Sequence, residues 1–467
     1  MRLDMQHPIH LMKLPLLTIR TAVAAIVVLW LVPSVVQAVP SFARQMNLQC
    51  SACHTEYPIL NDFGRQFKLS GYTLSTGKNT IPPISAMMSP SFTATQEGQP
   101  GGAAPGFKDN NNTAVTQASI FYAGRLFGDL AGEDPNALAN KFGVFLQATY
   151  DGIGKSWAWD NAEIRYADSG TIGGKDALFG FYVNNNPTFQ DPWNTLPAWG
   201  YPFTGSALAP TPAAATLIDG GVSQQVAGFG AYTMIDDTLY LDLGAYRTFG
   251  TRFQKYVGVD PTGETEITNL APYWRVAAQK SVGKGTLELG TFGMASNTFP
   301  GSDHSAGTDH IYDFGLDSQY QITLGHHAIT TMLSYIYEHQ NLNASQSLGN
   351  SLNRSNNLGN LKATIDYLYD NTYGGAIQYF VIDGNRDSLL YSGSAKGSPL
   401  SDGLILQANY IPFNKGGGPD FWPKSSVKFS LQYVIYNRFD GSRYNYDGSG
   451  RNAQDNNTLY LEAWILF

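Results

Sequence analysis

The chain has 467 residues, a formal net charge of −8, and a charged fraction of only 14% beside 43% hydrophobic and 13% aromatic residues. An acidic chain of this kind argues against a nucleic-acid partner, which asks for a basic face. Its only two cysteines, Cys50 and Cys53, close too small a ring for a disulfide to account for a large fold.

From the N-terminus, Leu14 to Val36 are mostly apolar behind a head that carries Arg2, Lys13 and Arg20, and the stretch ends Val36-Gln37-Ala38. Small or modest residues at those last positions predict a signal peptide over residues 1–38, cleaved after Ala38. An uncleaved anchor helix is the alternative, but Ala22 to Val32 is short for a comfortable span. With Asp4 counted, the leader carries +2, so the whole-chain −8 leaves −10 on the mature protein.

Residues 39–84 read as a small helical domain. The run Cys50-Ser51-Ala52-Cys53-His54 has the spacing of a covalent c-type haem site, with Cys50 and Cys53 as thioether anchors and His54 as the proximal iron ligand. A thioredoxin-like dithiol would want an α/β surround, and neither the composition nor the pattern supplies one. Tetrahedral zinc would want two more ligands, yet the next histidine after His54 is His304. Tyr57, Leu60, Phe63, Gly64 and Phe67 recur every three or four residues, which suits one buried helix face, and Gly71 and Pro82-Pro83 mark stops. So short a domain cannot bury a haem c group by itself and is expected to lean on something larger.

From residue 85 to 467 the texture is that of strands. The 27 Tyr, 25 Phe and 49 Gly of the chain are spread through it without a sustained helical period. Short alternating segments recur, centred near residues 90, 119, 146, 162, 180, 229, 243, 274, 290, 316, 333, 364, 378, 407, 432 and 462. In the last, Leu459, Leu461, Ala463, Ile465 and Phe467 share one side and Thr458, Tyr460, Glu462, Trp464 and Leu466 the other. In the one before it, Val427, Phe429, Leu431, Tyr433 and Ile435 oppose Lys428, Ser430, Gln432, Val434 and Tyr436. In the third, Phe142, Val144, Leu146 and Ala148 oppose Gly143, Phe145, Gln147 and Thr149.

A soluble sandwich alternates as well. What favours a membrane barrel is parity: with both chain ends on the periplasmic side, the tight turns near 235–237, 280–284, 324–326 and 370–372 all fall there. Long Asn- and Gly-rich links near 96–112, 185–221, 250–267, 339–357, 383–401 and 440–456 fall outside. The short outer link at Gly152 to Ser156 and the long inner link from Phe413 to Ser426 depart from the rule. Unpaired strand edges in hydrocarbon cost several kcal/mol per group, so the sheet must close. The expected fold is therefore an all-β, 16-stranded antiparallel transmembrane β-barrel over 85–467, carrying the small N-terminal helical c-type haem domain.

Alternation within Ser85-Ala86-Met87-Met88-Ser89-Pro90-Ser91-Phe92-Thr93 sends Met87 to the lumen with the serines and Met88 to lipid, which makes Met87 the candidate distal ligand. His327 and His339, on one face of a distant strand, are its rivals. Asp242, Asp313 and Asp317 are expected in the lumen, where they keep the interior wet or gather a metal cation. The long Pro- and Trp-rich segment Asn185 to Asp219 is expected to fold over or into the pore.

Phe42-Ala43-Arg44-Gln45 leading into Cys50 to His54, then Phe63-Gly64-Arg65-Gln66-Phe67-Lys68 and a barrel ending Trp464-Ile465-Leu466-Phe467, resemble the fused monohaem cytochrome-porins of bacterial outer membranes. The resemblance implies one haem c bound through Cys50, Cys53 and His54, held in the periplasm or inside the lumen. It further implies electron transfer between an extracellular redox donor or acceptor, such as Fe(II), and a periplasmic electron carrier. Outer-membrane lipid would be the surrounding partner, and Fe(II) oxidation the activity. The competing class is a solute porin in which the haem is structural or accessory.

Overall fold

The computed structural model describes residues 41–76, 83–132, 134, 136–256, 266–420 and 423–467. The leader, its cleavage site and Pro82 lie outside the described residues. Sixteen antiparallel strands form a closed barrel: β1 (Ile84–Thr95), β2 (Asn112–Arg125), β3 (Phe142–Asp151), β4 (Ser156–Ile172), β5 (Lys175–Asn184), β6 (Ala227–Ile235), β7 (Leu239–Arg247), β8 (Ala271–Val282), β9 (Gly285–Phe299), β10 (Asp309–Leu324), β11 (His327–Asn341), β12 (Ser355–Tyr369), β13 (Tyr373–Gly384), β14 (Ser401–Tyr410), β15 (Ser426–Arg438) and β16 (Thr458–Leu466). A two-residue piece, Glu266–Ile267, continues β8 outward and pairs with Phe299 and Thr298 of β9. Each strand pairs with its neighbours in sequence, and β1 closes on β16 with Met87 opposite Leu466 and Phe92 opposite Leu461. Phe467 exchanges backbone hydrogen bonds with Ala86, so the chain's last residue completes the seam.

The alternation that builds each strand is visible in its burial. On β11, Ala328, Thr330, Met332, Ile336 and Glu338 are buried toward the lumen, while Leu333, Tyr335 and Tyr337 are exposed on the outer wall. Exposed Tyr369, Tyr373 and Tyr410 gather at one rim and Trp157 and Trp159 near the other, the aromatic girdles that meet headgroups on both faces of a bilayer. A closed barrel of this kind belongs in the bacterial outer membrane, with lipid around it.

The side that carries both strand termini, Ile84 and Leu466, also carries the tight turns. Gly173 and Gly174, both at positive φ, join β4 to β5 in the two-residue geometry that matches strand twist. Asp370 and Asn371, also at positive φ, open the turn into β13. Residues 96–111, 185–226, 342–354, 385–400 and 439–457 connect strands at the opposite side. The expected parity holds for these links, while the short outer link 152–155 and the long inner links 126–141 and 411–425 depart from it.

Residues 41–76 do not stand as a separate helical domain; the described residues from Ser41 onward form one compact unit. Their helices are short, α1 (Ser41–Met46) and α2 (Asp62–Leu69), and they lie inside the barrel. The reason is area: two short helices bury too little apolar surface against each other, so Phe42, Tyr57, Phe67 and Tyr72 pack instead on Phe145, Trp464 and one another. The long outer link 185–226 also enters the pore, where Phe189, Trp193 and Leu196 are almost wholly buried.

Candidate functional site

The turn Cys50 to His54 sits at the base of the lumen. The backbone N–H groups of Cys53 and His54 both donate to the Cys50 carbonyl, curling the turn, and α2 is then capped by Asn61, whose side chain accepts from the Gly64 N–H at 3.0 Å. Gly64 is required here by closeness: a Cβ on it would lie 2.1 Å from the Cys53 carbonyl oxygen. The His54 Nδ1 faces the Pro58 carbonyl at 3.2 Å, which orients the ring. Burial pushes the His54 pKa down to about 4, so the imidazole is neutral.

Cys50, Cys53, His54 and Met87 all line one cavity of about 490 Å³. Its lower wall is apolar and aromatic, with Phe42, Phe121, Phe145 and Trp464. The Met87 side chain is buried on β1, and its Sδ accepts a hydrogen bond from the Trp464 indole at 3.2 Å. The opposite wall is polar, with Gln117, Gln147, Asp160, Asn161 and Gln224. Sequence parity thus brings Met87 to the cavity that the Cys50–His54 turn also lines, and excludes its rivals. His327 faces outward beside the Tyr367 hydroxyl at 2.7 Å, and His339 points away from the lumen to Asn357 at 2.7 Å. Neither lines the cavity.

The residues fit a covalent haem in three respects. The thiols and imidazole reach one cavity with an apolar wall, and Met87 reaches it from the barrel. The same cavity contains buried polar atoms without a hydrogen-bond partner, Ser41 Oγ, Ser85 Oγ and Trp199 Nε1, which are donors available to an acidic group. Neutral His54 is also in the protonation form that ligates iron.

Buried charges hold the lumenal segments to the wall. Arg275 on β8 contacts Asp191 at 3.2 Å, Glu288 at 3.2 Å and Asp317 at 2.8 Å, while Thr195 donates to Asp317 at 2.6 Å. Asp191 belongs to the inserted link, so this cluster fastens it. Arg165 on β4 pairs with Glu163 at 2.8 Å and donates to the Lys68 carbonyl at 3.0 Å. The Lys68 ammonium donates to the Asp191 carbonyl at 2.7 Å between the Phe189 and Trp199 rings, and burial pushes its pKa down to about 7. Sequence reading did not find Arg165, Arg275 or Lys428; lone basic residues on alternating strands were the available signal.

Asp242, Asp313 and Asp317 do face the lumen, but as anchors. Asp242 accepts from the Tyr182 hydroxyl at 2.8 Å, Asp313 from the Ile218 N–H at 2.8 Å, and Asp317 is held by Arg275. Among the described residues no group of three or more His, Cys, Asp or Glu side chains is placed to hold a metal ion. The metal-gathering expectation is corrected on that basis.

No protein-family model and no curated protein matches the chain. Solved structures with a similar fold include the outer membrane protein OmpT of Vibrio cholerae in a loop-deleted form, at 9% identity and a TM-score of 0.42, covering 82% of this chain and 98% of that one. They include the outer membrane channel DcaP of Acinetobacter baumannii, at 11% identity and 0.44, covering 84% and 100%. An anion-selective porin from Comamonas acidovorans is similar at 10% identity and 0.45, covering 82% and 98%. These are described as an outer membrane protein, a channel and a porin, and none as a cytochrome fusion. No comparison carries the assignment to the fused monohaem cytochrome-porins, which is corrected to the fold alone, a 16-stranded antiparallel outer-membrane β-barrel. Cytochrome c, haem-mediated electron transfer, Fe(II) oxidation and metal binding are not carried forward as descriptions of this chain, nor are the redox partners they entailed.

Proposed function

We propose that this chain is a solute porin of the outer membrane whose lumen is narrowed by two inserted segments, residues 41–76 and 185–226. The single observation that carries the reading is the lumen-lining cavity. Its lining runs from Met87 on β1 past Gln117 and Gln147 to Asp160 on β4. A polar interior wall behind a lipid-facing apolar one is what conduction of hydrated solutes needs. The test is liposome swelling with the purified protein: small polar solutes enter and the rate falls steeply with solute size, whereas swelling no faster than in protein-free liposomes contradicts the proposal.

Within that reading, haem c would be an accessory group held through Cys50 and Cys53, with His54 and Met87 as the candidate iron ligands. When bound, it would supply a flat apolar body and an iron able to take up an imidazole or a thioether. The chain's own residues do the rest: Gly64 lets α2 close on the Cys50–His54 turn, the Pro58 carbonyl orients the imidazole, and Phe42, Phe121 and Phe145 exclude water. A pyridine haemochrome spectrum that survives acid–acetone extraction, and is lost in Cys50→Ala/Cys53→Ala, supports attachment. Extraction of all haem from the wild-type protein contradicts it.

A further inference from the structure

The upper wall of the cavity contains an irregularity in its strand pairing. Between β3 and β4 the register slips: Leu146 pairs with Ala162 but Ala148 pairs with Trp159, so the single residue Gln147 faces both Asp160 and Asn161. This is a β-bulge, which re-aims side chains. Its effect is readable in exposure. Before it, Trp157 and Trp159 face lipid; after it, Ile164 does, and Asn161, Glu163 and Arg165 are buried. The parity change places two consecutive polar residues, Asp160 and Asn161, on the same cavity wall.

Four groups converge on the Asp160 carboxylate. Gln117 from β2 donates at 3.1 Å, Thr149 from β3 at 3.2 Å, Asn161 at 3.3 Å, and Gln224 from the inserted link at 3.0 Å. Gln224 is held at φ +61°, a left-handed conformation that a glutamine rarely adopts, so the link is constrained where it delivers this amide. The amide oxygens of Gln117, Gln147 and Gln224, by contrast, accept nothing from the described residues, although all three side chains line the cavity. The wall therefore presents one anchored negative charge and a set of free acceptors. The other charged residue lining the cavity, Lys68, is turned to the Asp191 carbonyl and covered by Phe189 and Trp199.

We infer that the Asp160–Asn161 bulge, with Gln117, Gln147 and Gln224, is a binding station for small monovalent cations, ammonium-type solutes included, that makes the lumen cation-selective. A fixed carboxylate in a narrow, partly desolvated passage attracts counter-ions more strongly than one in open water. Free amide oxygens replace part of a cation's hydration or accept N–H donors, while offering nothing to an anion. The inference rests on the porin reading and deepens it.

Two measurements on the full-length protein test it. In planar bilayers under a KCl gradient, the reversal potential gives the potassium-to-chloride permeability ratio. We expect a ratio well above one for wild type and for Asp160→Glu, and a several-fold fall toward one for Asp160→Asn. Anion selectivity in wild type, or an unchanged ratio in Asp160→Asn, overturns the inference while leaving a porin. Isothermal titration with methylammonium chloride reads the station without conduction, so it still decides if no channels appear and the porin reading itself fails. Saturable binding in wild type and Asp160→Glu, lost in Asp160→Asn, supports the station; no binding in wild type, or equal binding in Asp160→Asn, overturns it. Heat-modifiable mobility on denaturing gels establishes that each variant has formed its barrel.

Discussion

Lys428 on β15 donates its ammonium to the backbone carbonyl of Tyr57 at 2.8 Å, joining the barrel wall to the lumenal segment four residues past the Cys50–Cys53 pair. The same ammonium lies 3.6 Å from the Glu56 carboxylate and faces the Trp464 ring at 4.8 Å. Both Lys428 and Glu56 are about 1% exposed, so neither has water as an alternative partner.

Removing one member of a buried pair leaves the other uncompensated, at a cost of about 3–5 kcal/mol. Lys428→Met is therefore expected to loosen residues 50–70 without opening the barrel. Hydrogen exchange of the backbone amides in that segment should accelerate, and Lys428→Met/Glu56→Gln should restore most of the protection.

Gly64→Ala places a methyl 2.1 Å from the Cys53 carbonyl oxygen, where the obstacle is backbone. Overpacking of this kind costs about 1–3 kcal/mol. Arg65 and Lys68 are buried in the native protein, so trypsin should spare them in wild type and cleave there in Gly64→Ala.

At the outer side, Asp387 ties two loops together. Its carboxylate accepts from the Ser351 hydroxyl at 2.6 Å and from the N–H groups of Leu352 and Asn353 at 3.0 Å, and from Leu390 at 3.1 Å. Burial by itself would raise its pKa, but these donors outweigh it and hold the carboxyl well below the usual range. A lowered pKa contributes stability that is full above the unfolded value, near about 4, and is lost as pH falls below it. Exchange protection at Leu352 and Asn353 should therefore decline on acidification below that value. Asp387→Asn should weaken the junction by about 1–3 kcal/mol at neutral pH.

Much of this architecture was legible beforehand, for one physical reason: a strand with lipid on one face and water or protein on the other must alternate. All sixteen segment centres fall within strands, and the Met87 side chain lies on the lumen side where parity put it. Parity was also where legibility ended. The bulge at Asp160-Asn161 breaks alternation without any composition cue, and His327 and His339 share a face that proved to be the outer one. Long-range charge pairs were invisible because their partners are far apart in the chain, as with Glu56 and Lys428 or Asp191 and Arg275. The helical domain expected over 39–84 failed as a separate body because its apolar residues are completed by the barrel wall.

Arg275 is the fastening of the inserted link, since Asp191, Glu288 and Asp317 all converge on it. Arg275→Met leaves three buried carboxylates without their cation, so residues 185–226 should detach from the wall and widen the passage. The expected result is a larger single-channel conductance than in wild type, with the barrel's heat-modifiable mobility retained.

Single-channel recording of the wild-type protein in planar bilayers tests the central claim most directly. The account predicts discrete, small conductance steps, as a barrel narrowed by residues 41–76 and 185–226 should give. Complete absence of steps from correctly folded wild type, persisting in Arg275→Met, would contradict it.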